Sequence, residues 1–294
     1  MPLRAALFTV LLALQAPALL RAQAGSEAYK RGRAALTAGK YDDAVSAFEQ
    51  AVKADGASAE YHLWLGNALG SVAQRANVFR QPFLARRVKS EFERTVQLDS
   101  TSIGAHEGLL EFYRQAPGVM GGSMDRARAE AGAIGRINAL RGHFARASLA
   151  REEKDSAAVE REYRAALDAF PDSLSAVTAL SAYLLSTRRG DDAFPLLEAY
   201  LSRHPTDMFA QFWIGRTSAI TGHQLDRGER ALRTMLAAPG IGIDTTLPPP
   251  ANAHYRLGDI AAKRGDKVRA KEEYEAALRL NPTLEAARKA LAAL

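Results

Sequence analysis

The chain has 294 residues, 47% of them hydrophobic and 24% charged, with 22 Gly, 12 Pro and no Cys. That Pro and Gly content is too low for a fibrous or disordered chain, and the lack of Cys excludes disulfides, thiolate metal sites and Cys nucleophiles. Ala fills roughly a fifth of the positions against 7% aromatics, a balance that favours helices packed through small side chains. The formal net charge of +6 invites a nucleic-acid reading. Yet bases alternate with acids, as at Arg161-Glu162 and Lys271-Glu272-Glu273. That is the pattern of solvated helix faces, so no nucleic-acid partner is expected.

In chain order the first element is a leader. Residues 1–24 open with one base, Arg4, run through an apolar stretch over residues 5–20 and end on Ala22-Gln23-Ala24, an A-x-A cleavage site. This is the layout of a secretory signal peptide. Gln15 and Pro17 interrupt the stretch, which falls short of the ~20 residues that span a bilayer. Cleavage removes Arg4 and Arg21 and no acid, leaving a net charge of +4. The expectation is an exported protein, periplasmic or secreted, with no membrane insertion after cleavage.

Beyond the leader the chain is periodic. Pro171, Pro205 and Pro239 stand 34 residues apart, a spacing typical of repeat architectures. In the last unit Gly258 is followed by Ala270, Tyr274, Ala277 and Pro282; the first takes the same steps with Gly32, Ala44, Phe48, Ala51 and Gly56. Ala147, Val159, Tyr163, Ala166 and Pro171 match likewise, as do Ser181, Ala193, Leu197, Tyr200 and Pro205. Gly215, Gly228, Leu232, Met235 and Pro239 fit with one residue gained and one lost. Gly66 reaches Val88, Phe92, Thr95 and Ser100 after ten extra residues, and Leu110 reaches Ala127, Ala131, Ile134 and Ala139 after five.

The pattern resembles the tetratricopeptide repeat (TPR). The resemblance implies an all-α, right-handed α-solenoid of about seven helix pairs. Each pair is amphipathic, and stacking on its neighbours completes its core. Turn residues such as Gly39-Lys40, Gly190-Asp191 and Gly265-Asp266 are expected between paired helices. Six units occupy residues 25–239, with insertions near 70–87 and 114–126. A stiff, Pro-rich linker loop covers 240–250, and the last unit and a C-terminal capping helix cover 251–294. Residues 111–127, EFYRQAPGVMGGSMDRA, look like a segment of exported bacterial TPR proteins of undefined role.

No Walker loop, dinucleotide fingerprint, HExxH or GxSxG elbow is present, and Gly121-Gly122 lacks the Lys-Ser/Thr that would make a phosphate cradle. Catalytic residues, cofactors and metals are therefore not expected. His62, His106, His143 and His254 each stand four residues before their unit's small residue. Equivalent helices roughly 8 to 10 Å apart hold them too far apart to share an ion, which favours half-buried packing with a satisfied ring nitrogen.

The resemblance places the binding surface on the concave face of the first helices. Carried onto this chain, the groove positions are Tyr29, Arg33, Asn67, Glu107, Glu111, Arg114, Phe144, Arg151, Phe212, Arg216, Tyr255 and Asp259. Exposed rings beside Arg suit a protein or peptide partner. The clamp by which some TPR proteins hold a C-terminal carboxylate has one matching residue, Asn67, but Leu63 stands where its Lys belongs and Gly104 follows in the next unit. The two insertions fall at equivalent places, so Arg80 and Phe83 of the first and Val119 and Met120 of the second are expected side by side, packed together or forming a recognition patch. The function expected is a non-catalytic exported scaffold; the alternative is an enzyme or small-ligand binder using the inserted loops. Oligomeric state is left open.

Overall fold

The computed structural model describes residues 20–242 and 247–294 in full, and residues 3–19 only as part of the first helix. The basic start and apolar stretch of the expected leader, and the centre of the expected linker, lie outside the fully described residues. By its contacts the chain divides into two compact units, Met1–Lys154 and Asp155–Leu294. The first holds α1 (Leu3–Thr37), α2 (Tyr41–Ala54), α3 (Ala59–Ala73), α4 (Gln81–Leu98), α5 (Ile103–Gln115), α6 (Met124–Ile137) and α7 (Ala139–Glu152). The second holds α8 (Ser156–Ala169), α9 (Leu174–Ser186), α10 (Ala193–Arg203), α11 (Met208–Thr221), α12 (Leu225–Leu236), α13 (Pro250–Lys263), α14 (Lys267–Leu280) and α15 (Glu285–Ala292). Among the described residues there is no strand, and no helix is long and apolar enough to cross a membrane.

Local sequence explains the helix boundaries. Ser58, Asn138, Asp155, Asp207 and Asp266 each accept a hydrogen bond from the backbone N–H three residues on, a cap worth ~1 kcal/mol. Between pairs the turn repeats as well: Asp55, Asp99 and Asn281 accept the N–H of Ala57, Thr101 and Thr283 at 3.0, 2.9 and 3.1 Å. These side chains replace the helical ladder with an Asx turn.

In four of the pairs the core is made by a size exchange. A Cβ on Gly32 would overlap the Phe48 ring, and one on Gly258 the Tyr274 ring. Gly66 and Gly108 both lie against Phe92, and Gly215 lies against Leu232. Each of these glycines thus makes room for a large side chain from a second helix, and Phe48, Leu232 and Tyr274 are buried as a result. In the third pair the sizes are reversed, with Leu110 on the first helix and Ala131 on the second in one cluster. Pairs then stack, α2 on α3 and α4 on α5 in the first unit, α10 on α11 and α12 on α13 in the second. Helix α15 lays Ala290, Leu291 and Leu294 against Ala261, Ala270 and Tyr274, as expected of a capping helix.

The insertions take different forms. Most of the first is absorbed by helix: α4 has 18 residues where α2 has 14, and only residues 74–80 are loop. Its Arg75 lies 4.2 Å from the Tyr41 ring centroid, against the turn of the first pair. The second is a 3-10 turn, Gly118–Met120, tied back by the Ser123 N–H donating to the Tyr113 carbonyl at 2.8 Å. Gly121 has φ +95°, and a Cβ on Gly122 would collide with the Ala116 carbonyl, so this glycine pair serves a tight reversal.

A carboxylate ties the last two pairs together. Glu229 of α12 pairs with Arg233 at 2.9 Å, with Arg264 after α13 and with Arg269 of α14. Burial raises its carboxyl, but hydrogen bonds from Arg264 and Arg233 and the charge of Arg269 outweigh it and hold the group at about 2, against an ordinary 4.5.

Two outcomes follow from this packing. In urea melts Gly258→Ala should destabilise by about 1–3 kcal/mol through overpacking against Tyr274. Gly70→Ala, at a helix site with nothing within 4 Å, should stabilise by up to ~1 kcal/mol through helix propensity. A carboxylate depressed on folding contributes stability above its unfolded value and loses it as pH falls through the folded one. Acid titration followed by circular dichroism should therefore show a loss of the order of 3 kcal/mol from the Glu229 contribution, over the window from pH 4.5 to about 2. Glu229→Gln should remove that part of the acid dependence and lower stability at neutral pH.

Candidate functional site

Each first helix spends one face on its own second helix and leaves the opposite face to solvent. In α11, Gly215 and Ser218 meet Leu232 and Gly228 of α12. Phe209, Trp213, Arg216 and Ile220, spaced i, i+4, i+7 and i+11, therefore share the face turned away from α12. Phe209 and Ile220 are exposed there although apolar. The same register on α13 presents Asn252, Arg256, Asp259 and Lys263, and on α9 the small residues Ser175, Ala179, Ala182 and Ser186.

In the first unit Arg33 of α1 sets its guanidinium 3.7 Å from the centroid of the Trp64 ring on α3 and donates to the Tyr29 hydroxyl at 2.9 Å. Tyr29 donates to Glu60 at 2.5 Å and stacks on Tyr61 with ring centroids 5.4 Å apart. In the second unit Arg216 lies 4.4 Å from the centroid of Trp213. Both tryptophans of the chain are thus half-buried on a first helix beside an arginine, an arrangement with cation–π geometry, and Trp64 also stacks on the core ring Phe48 with centroids 6.4 Å apart.

The remaining expected positions divide by what they touch. Arg114 pairs with Glu111 at 2.5 Å and with Glu152 at 2.8 Å. Glu107 lies 3.6 Å from Arg141 of α7. Asn67 is half-buried, and its carbonyl accepts the Ser71 hydroxyl. Phe144 is half-buried and Arg151 exposed, each engaged with a neighbour. Asp259 accepts the Tyr274 hydroxyl and Arg256, both at 2.9 Å, and burial pushes its carboxyl upward against these partners.

The positions three before the small residue are not groove positions here. Tyr29 stacks on α3. Phe212 packs against the cluster that joins Leu232 and Met235 of α12 to Ala253, Leu257 and Ile260 of α13, and Tyr255 against the cluster of Ala261, Ala270 and Tyr274, with its ring 6.0 Å from that of Tyr274. That register points toward the neighbouring helix, so these rings are used in stacking. The position two before the small residue carries Trp64, Trp213 and Arg256, all half-buried. The signal that could have found them is the coincidence of both tryptophans at that one register.

The histidines pack as expected, with an unexpected regularity. His62 Nδ1 lies 2.6 Å from Glu91, His106 Nδ1 2.6 Å from Glu130 and His254 Nδ1 2.7 Å from Glu273. In each case the Glu belongs to the second helix of the pair. The Nε2 atoms of His62 and His106 face the carbonyls of Gly56 and Ser100 at 3.2 and 3.1 Å. Among the described residues no group of three or more His, Asp or Glu could hold a metal ion.

The inserted loops do not cover one another. Phe83 is 66% exposed and Val119 96% exposed, so mutual packing of these two is absent. Arg80 is exposed and Met120 half-buried, and Phe79, beside Arg80, is 90% exposed.

Comparison with known proteins accords with this geometry. Tetratricopeptide-repeat family models match residues 29–70 and 251–284. A tetratricopeptide repeat protein from Parabacteroides merdae superposes with a TM-score of 0.53 at 14% identity, covering 92% of this chain and 98% of its own. Yeast Tom70 superposes with a TM-score of 0.55 at 11% identity over 86% of this chain, which spans 52% of the Tom70 chain. No curated protein is a significant sequence match. With matching repeats in both units and helix pairs locked small residue to large in each, the chain is a tetratricopeptide-repeat protein.

Proposed function

We propose that this protein is an exported, non-catalytic scaffold that holds a protein or extended peptide on the solvent faces of its first helices. The TPR fold is that of a protein-interaction scaffold. The observation that carries the reading is the position of Trp64 and Trp213, each half-buried at the same register of a first helix and each with an arginine over its ring. Trp, Tyr and Arg are the residues that supply most interface energy, because rigid rings bury area at little entropic cost and the guanidinium fork fixes orientation. The exposed Phe79 and Val119 of the inserted loops and Phe83 in the first turn of α4 add apolar surface that a partner would cover. Export rests on the three-part layout of residues 1–24.

Three experiments test this reading. The protein purified from the exported fraction should begin at Gly25 by N-terminal sequencing, and recovery of an uncleaved, cytoplasmic chain would overturn the export reading. Partners cross-linked to the wild-type chain should be lost from a Trp64→Ala/Trp213→Ala variant that keeps its helical spectrum; equal capture by that variant would remove the groove. In a Trp213→Phe background, Arg33→Ala should make Trp64 more accessible to acrylamide quenching while costing no more than ~1 kcal/mol of stability, as for an exposed cation–π contact.

A further inference from the structure

Arg216 stands apart from the other groove arginines in its company. Arg33 shares the Tyr29 hydroxyl, Arg114 holds two glutamates and Arg256 holds Asp259. Arg216 is half-buried, and its Nε is buried with no acceptor. The influences on its guanidinium are burial and the like charge of Arg256, and both push its pKa down. Asp259, the nearby acid on α13, is taken up by Arg256 and the Tyr274 hydroxyl. A cation withdrawn from water with no counter-charge is costly, and an arriving anion relieves the cost.

What surrounds Arg216 selects the kind of anion. Along α11 an apolar side chain lies on either side of it, Phe209 and Trp213 toward the N-terminus and Ile220 toward the C-terminus, and α9 beside it presents Ser175, Ala179, Ala182 and Ser186. A segment that ends at its anion would use the apolar surface on one side only. A segment that continues past it uses both, and the small residues of α9 leave room for its backbone.

We infer that the second unit's groove reads an acidic side chain, Asp or Glu, within an extended segment of its partner, with Arg216 as the carboxylate fork and apolar residues flanking the acid seated on Phe209, Trp213 and Ile220. The inference rests on the scaffold reading above and gives it a chemical specificity. A planar guanidinium suits the two carboxylate oxygens, and the flanking ring of Trp213 keeps its plane in place.

Selection of random peptides on the full chain tests it, with one library embedded between fixed sequences and a second ending in a free C-terminus. The embedded library should yield peptides with Asp or Glu beside an aromatic or aliphatic residue. Replacing that acid by its amide should weaken binding roughly tenfold or more, as should Arg216→Gln, and the two changes together should cost little beyond either alone. Arg216→Met should melt at the wild-type temperature or above, because it removes an uncompensated charge; a clear drop in melting temperature would mark Arg216 as a structural residue and overturn the inference. Peptides selected without acids, an acid preference that survives Arg216→Gln, or acids selected only as free C-termini would overturn it as well while leaving the scaffold reading in place. If neither library yields a binding peptide, the scaffold reading falls with it.

Discussion

The structure depends on a steric exchange inside four of its helix pairs, in which a glycine on the first helix admits a ring or leucine from the second. Gly32 with Phe48, Gly66 with Phe92, Gly215 with Leu232 and Gly258 with Tyr274 are its instances. The exchange brings the two helices close enough for one large side chain to fill the space between them, so the pair needs few aromatics, and the chain has few. Glycine inside a helix costs up to ~1 kcal/mol in propensity, against ~1.5–3 kcal/mol for fully burying one large apolar side chain. Burial of the ring or leucine therefore outweighs the loss of helix propensity at the glycine.

This division of labour determines which surface is free for function. A first helix uses one face for its partner and a second for the next pair, as Tyr29 does against Tyr61 and Phe212 against the cluster shared with α13. What remains is a narrow strip whose residues can change without disturbing the core. In the first unit the strip is dense with mutual contacts, Arg33 on Trp64 and Arg114 on Glu111 and Glu152. In the second it passes from small residues on α9 through an apolar stripe on α11 to charges on α13. Its polar groups are satisfied at α13 and left unmatched at Arg216.

The sequence made the interlock legible because it forces one residue type to recur at a fixed step; Gly32, Gly258 and their large partners could be paired before any coordinates. The capping role of α15 was readable for the same reason, from Leu291 and Leu294 on one side. The functional strip was less legible. A rotation of one residue separates Trp213, which lies beside Arg216, from Phe212, which packs against the cluster shared with α13, and composition does not distinguish two adjacent aromatics. The His–Glu pairs left a trace in the glutamates just before Phe92, Ala131 and Tyr274, but the partner lies on another helix, and helical periodicity does not register such pairs. The first insertion misled in part, because ten extra residues read as a loop when only residues 74–80 are loop and α4 is four residues longer than α2.

Phe92 touches the glycine of its own pair, Gly66, and also Gly108 of the pair that follows. One ring therefore belongs to two repeats at once, and the third pair, with Leu110 and Ala131 exchanged in size, is shaped to receive it. Repeat proteins are often treated as strings of interchangeable cassettes. Here the second and third pairs are coupled through that ring, so removing one of them alone would leave either a ring with no socket or a socket with no ring.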